Sequence, residues 1–123
     1  MDTPTPENLS AVFGVAGGNV YAAGDAGTII RFDGAQWTAM ASGTDANLYD
    51  VFGIAADNLW VVGAAGTILH STGSAWTTSA SGTGNDLFGV FARSATDAFA
   101  VGDSGTILRW GPDGSSAVAG AQR

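Results

Sequence analysis

The sequence predicts an all-β chain, and three observations carry the prediction. Its apolar segments are short and rich in β-branched and aromatic residues, and no stretch shows helical periodicity. Gly, Asp-Asn and Ser-Gly punctuate those segments in the manner of antiparallel hairpins. The pattern also recurs. Gly27-Thr28-Ile29 reappears as Gly66-Thr67-Ile68 and as Gly105-Thr106-Ile107, a period of 66 − 27 = 105 − 66 = 39 residues.

The same offset carries Leu9, Val12 and Phe13 onto Leu48, Val51 and Phe52, then onto Leu87, Val90 and Phe91. Gly24 maps to Gly63 and Gly102, and Trp37 to Trp76, with no insertion. The chain therefore reads as one repeat domain, 1–123, with repeats 8–46, 47–85 and 86–123. The last repeat degenerates after Trp110, and Ser115 stands where a third Trp would fall. In the middle repeat, strands are expected at 48–52, 59–62, 67–70 and 75–78, with turns at 55–58, 63–66 and 71–74 and a connector at 79–84. Residues 111–123 are expected to fray, the alternative being a weak fourth strand through Ser116-Ala117-Val118.

Four short antiparallel strands per repeat of this length are the pattern of a β-propeller blade, so three blades are expected. A β-trefoil also has three four-stranded repeats and is the alternative fold. The Gly-x-x-Gly turns suit radial blades better, and no Gln-x-Trp is present: Gln36 directly precedes Trp37, and the second copy has Ala75 at that place. Propellers typically carry 4 to 8 blades, so three leave an apolar face and a strand edge open at each end. The expected remedy is self-association, blade 3 of one chain against blade 1 of the next, with a dimer giving six blades. Packing against neighbouring blades of a longer chain would serve equally.

The runs Val61-Val62-Gly63-Ala64-Ala65-Gly66-Thr67-Ile68-Leu69-His70 and Ala100-Val101-Gly102-Asp103-Ser104-Gly105-Thr106-Ile107-Leu108-Arg109, with Asp33-Gly34-Ala35-Gln36-Trp37, resemble bacterial β-propeller repeats. Such repeats occur in photosystem II assembly-factor-like and BNR/sialidase-like proteins. The resemblance spans about residues 8–110 and implies the fold without implying one activity. The sialidase Asp-box, Ser-x-Asp-x-Gly-x-Thr-Trp, is incomplete. Residues 33–37 keep only its Asp, Gly and Trp, and the second copy has Thr72 for the Asp.

Composition narrows the function. The chain is 46% hydrophobic and 12% charged, which excludes disorder. Eleven acidic side chains against four Arg, with no Lys, give a net charge of -7, the wrong sign for nucleic acid or an anionic membrane. No apolar run is long enough to span a membrane. The N-terminus lacks the basic and apolar regions of a signal peptide, so the expectation is a cytoplasmic protein or a trimmed piece of an exported one. Without Cys, and with His70 the single His, neither a thiolate metal site nor a nucleophile–base pair can be assembled. Glu7 is the sole Glu, and Arg31, Arg93, Arg109 and Arg123 do not form the sialidase arginine cluster. No catalytic residue, metal ligand or cofactor is expected.

The candidate ligand or partner surface comprises Asp50, Asp57, Asn58, Asp97 and Trp110. Asp50 falls on an innermost strand, facing the channel, where the other repeats have Ala11 and Gly89. Asp57, Asn58 and Asp97 belong to the loops 54–58 and 93–97, which with 16–19 and the connectors 42–46 and 81–85 would form the working surface. Trp110 replaces Phe32 and Ser71, and would either pack the C-terminal edge or stack on a sugar or a partner. Asp25 and Asp103 read as turn formers, and His70, in the place of Arg31 and Arg109, as an outward polar residue. Tyr21, Trp60 and Phe99 read as packing between blades, and Trp37 and Trp76 as structural. The expected function is a non-enzymatic, self-associating interaction scaffold that binds protein. A carbohydrate-binding lectin is the alternative, and a sialidase-like hydrolase ranks behind both.

Overall fold

The computed structural model describes residues 4–15, 18–55, 57–72, 75–111 and 114–117. The parts of the expected loops at 16–17 and 56, and of the C-terminal segment at 118–123, lie outside the described residues. Three separate four-stranded antiparallel sheets follow one another along the chain. The first holds β1 (Leu9–Gly14), β2 (Val20–Gly24), β3 (Ile29–Phe32) and β4 (Trp37–Met40) in sequence order. The second holds β5 (Leu48–Ala55), β6 (Asn58–Gly63), β7 (Ile68–Ser71) and β8 (Trp76–Ser79). The third holds β9 (Leu87–Ser94), β10 (Asp97–Gly102), β11 (Ile107–Gly111) and β12 (Gly114–Ala117). Each sheet is a simple meander and no strand is shared. This is blade architecture, and it replaces the β-trefoil alternative, whose strands would join a common barrel.

Among the first strands, β5 lies against both β1 and β9, so the blades converge on their inner edges. Each carries a bulge at the same place, between Leu9 and Ala11, Leu48 and Asp50, and Leu87 and Gly89. The middle strands alternate their faces, as the two-residue period of a strand requires. Tyr21, Ala23 and Ile29 of the first blade pack on Val51, Leu59, Val61, Leu69 and Trp76 of the second. Trp60, Val62 and Ile68, on the opposite face of the second blade, pack toward Ala92, Ala98, Ala100 and Leu108 of the third. Trp60 is fully buried and its indole Nε1 finds no partner, so the ring contributes packing alone.

The second hairpin of every blade turns through the Gly-x-x-Gly segments. Gly24, Gly63 and Gly102 are needed for a close approach: a Cβ on Gly63 would sit 2.2 Å from the Asn47 carbonyl oxygen. The third turn residue, Ala26, Ala65 or Ser104, is left-handed, with φ of 58°, 56° and 60°. Its amide is used to clamp the next blade. Ala26 N–H donates to Asn47 Oδ1 at 3.0 Å, and Ala65 N–H donates to Asp86 Oδ1 at 2.8 Å.

The expected fraying of the C-terminal segment is corrected at 114–117. There β12 pairs with β11, Trp110 opposite Ser115 and Leu108 opposite Ala117. A ladder is built from backbone groups, so Ser and Ala complete it without the missing Trp. The first strand of the middle repeat also runs on to Ala55, which pairs with Asn58 across a tighter turn than expected.

Candidate interaction surfaces

The two ends of the array differ from its interior in one respect, the fate of equivalent apolar residues. Phe52, Val62 and Ile68 on blade 2 are covered by blade 3. Their counterparts one repeat later, Phe91, Val101 and Ile107, are 56%, 47% and 37% exposed. At the other end Val51 is buried against blade 1, whereas its counterpart Val12 is 67% exposed. Each end face also holds a hollow. On blade 1, Leu9, Ser10, Ala11, Val12, Ala22 and Trp37 enclose about 400 Å³. On blade 3, Gly89, Val90, Phe91, Phe99 and Val101, joined by Asp50 of blade 2, line about 280 Å³.

Aromatic rings run along the inner edges. Phe13 and Phe52 lie 5.0 Å apart and Phe52 and Phe91 4.9 Å, a ladder that ends on the exposed ring of Phe91. The bulge residue Tyr49 stacks beside Phe88 at 5.1 Å. Neither stack was singled out from the sequence, although the 39-residue spacing of the three Phe residues signals the first.

The five candidate residues do not converge. Asp50 bonds backbone on two blades: Oδ1 accepts from the Val51 N–H at 3.0 Å, and Oδ2 accepts from Val90 N–H of blade 3 at 3.0 Å. Asn58 Oδ1 lies 3.2 Å from His70 Nε2. Asp97 is held between two arginines, accepting from Arg109 Nε at 2.7 Å and forming an ion pair with Arg93. These hydrogen bonds hold its carboxyl below the usual carboxylate range. Arg93 also lies over the Phe99 ring, 5.5 Å from its centroid. Trp110 packs between blades: its ring is edge-on to Trp60 at 5.5 Å and tilted over His70 at 4.6 Å, and Nε1 donates to Ser79 Oγ at 3.2 Å. Asp57 is exposed on the β5–β6 turn and enters none of these bonds.

His70 departs from its expected outward place. It sits opposite Trp60 in the ladder, on the face that meets blade 3, half-buried against Trp60 and Trp110, and burial lowers its pKa. Asp33 accepts from Ala35 N–H at 2.9 Å and Gln36 N–H at 3.0 Å, which makes it the keystone of a turn and depresses its pKa. Asp25 accepts from Asn8 Nδ2 at 3.4 Å. A third concavity, about 510 Å³, lies between the connectors and is lined by Gly43, Thr44, Thr67, Thr78, Ser81 and Thr83 among others. Among the described residues no three His, Cys, Asp or Glu side chains gather as metal ligands, and no helix is long and apolar enough to cross a membrane.

No family model and no curated protein matches the sequence. Solved structures do match. YCF48 bound to D1 peptide superposes with a TM-score of 0.80 at 18% identity, over 99% of this chain and 43% of that one. YCF48 from Cyanidioschyzon merolae gives 0.74 at 16% identity, over 95% of this chain and 42% of that one. The likeness shows the fold: the three sheets are blades of a partial β-propeller, and the chain spans less than half the length of either neighbour.

Proposed function

We propose that the chain is a non-enzymatic β-propeller scaffold that associates with itself through its two end blades and presents the assembled surface to a protein or peptide partner. One observation carries the reading: Phe91, Val101 and Ile107 lie exposed at positions that blade–blade packing covers elsewhere in the same chain. These side chains are about half exposed, so covering them favours association by roughly 1 kcal/mol each, before the cost of lost rotational and translational freedom. Blade 1 of a second copy offers the exposed Leu9 and Val12 to this face, and two copies give six blades. The neighbour bound to a D1 peptide supports a peptide as the partner class. The exposed Asp57 and the loops around it are the surface we assign to that contact. The repeat resemblance supports a bacterial, BNR-like origin for the blades.

Sedimentation velocity across a concentration series tests the scaffold. Wild-type chain is expected to sediment faster as concentration rises, while Val101→Asp, which places a charge in the contact, sediments as a 12.3 kDa monomer throughout. A wild-type chain that stays monomeric at every concentration contradicts the reading. Carbohydrate binding is the second reading, favoured by the Ser- and Thr-lined concavity between the connectors. A glycan array without signal removes it.

A further inference from the structure

The self-association proposed above says that end faces meet. A hydrogen-bonding device repeated inside the chain says how they meet, and the inference rests on that reading. At both internal junctions, the amide of the left-handed turn residue donates to the side-chain oxygen of the residue 21 positions further on. Ala26 thus reaches Asn47, and Ala65 reaches Asp86. Those acceptors begin blades 2 and 3, and their own carbonyls accept from Ala64 N–H and Asp103 N–H in the turn of their own blade. One residue therefore ties its blade to the blade before it.

Ser104 is the third member of the series. It has the same left-handed backbone, φ 60°, and its N–H meets no acceptor among the described residues. Its partner would be position 104 + 21 = 125, and 125 − 3 × 39 = 8, which is Asn8. Asn8 is set up as Asn47 and Asp86 are, its carbonyl accepting from Asp25 N–H at 2.9 Å. The segment ahead of it already has the connector form. Thr5 Oγ1 accepts from Glu7 N–H at 3.1 Å, as Thr44 Oγ1 does from Ala46 N–H and Thr83 Oγ1 from Asn85 N–H, both at 3.1 Å. The ring ladder follows the same register, since the residue after Phe91 in that series is 130 − 117 = 13, a second Phe13.

We propose that a second copy of the chain docks head to tail, its blade 1 on blade 3 of the first. Its Asn8 Oδ1 accepts from Ser104 N–H, and its Phe13 stacks on Phe91. Two copies make this contact twice and close a six-bladed ring.

The chain has no Cys, so single thiols can be placed at will. Full-length Asn8→Cys and Ser104→Cys proteins are mixed and treated with a short bismaleimide, and the linked residues are read by mass spectrometry. Links between 8 and 104 on different chains are expected. A predominance of 104–104 or 8–8 links, or no links from a dimeric mixture, overturns the head-to-tail latch and leaves self-association standing. A mixture that is monomeric by sedimentation defeats both. The second readout is the dissociation constant. Asn8→Ala removes one hydrogen bond at each of the two contacts and raises it about 25-fold, and Asn8→Asp, which copies Asp86, keeps it near wild type. Equal weakening by the Ala and Asp variants, with unchanged circular dichroism, contradicts the role of the side-chain oxygen.

Discussion

Asp50 joins two blades through backbone amides, Val51 N–H on its own strand and Val90 N–H on the next. Removing the acceptor leaves the Val90 amide unpaired at a junction. Asp50→Ala is therefore expected to cost about 1–3 kcal/mol in urea unfolding, and Asp50→Asn, which keeps one oxygen, about half as much. The sequence revealed that residue 50 lies on an innermost strand, and no more. Its partner is a main-chain group 40 residues away, and a main-chain group has no residue type by which to be found. His70 shows the same boundary. Burial against two indoles depresses its pKa, so the unfolded chain binds its proton first as pH falls. The stability that neutral His70 confers is complete above its ordinary value of 6.5 and declines as pH drops through that value toward the lower folded one. Melting temperature is expected to fall between about pH 7.5 and 5.5, with a flatter slope in His70→Gln. A slope identical in both proteins assigns the titration elsewhere.

Among the elements, the Gly-x-x-Gly turn was the most legible in sequence and the least explained by it. Its spacing alone defined the repeat, but the need for Gly63 comes from a carbonyl of the preceding connector that a Cβ would strike. The turn also forces Ala65 into a left-handed backbone, a conformation that costs an L-residue roughly 1–2 kcal/mol. Ala65→Gly relieves that strain while keeping the amide that clamps Asp86, at some entropic cost in the unfolded chain. Its midpoint of chemical unfolding is expected to rise by the equivalent of about 0.5–1 kcal/mol. A fall would show that the Ala methyl packs more than the strain costs. Strand β12 is the element that residue type conceals. The repeat has no third Trp to anchor this edge, yet a short backbone ladder to β11 forms without it.

At the scale of the whole molecule, the repeat period and the three-blade count were legible in sequence because both are properties of spacing. Which side chains end on an open face was not, since every repeat carries the same apolar pattern, and Phe91 differs from Phe52 only in that no sheet among the described residues covers it. The exposed side chains are the centre of the account: in the proposed assembly, two faces built for blade–blade contact, one on blade 1 and one on blade 3, meet in a second copy. The mass of the wild-type chain in solution, by light scattering at increasing concentration, tests this most directly. The account predicts a rise toward 24.6 kDa, twice the 12.3 kDa of the chain. A mass fixed at 12.3 kDa over the whole series would contradict it.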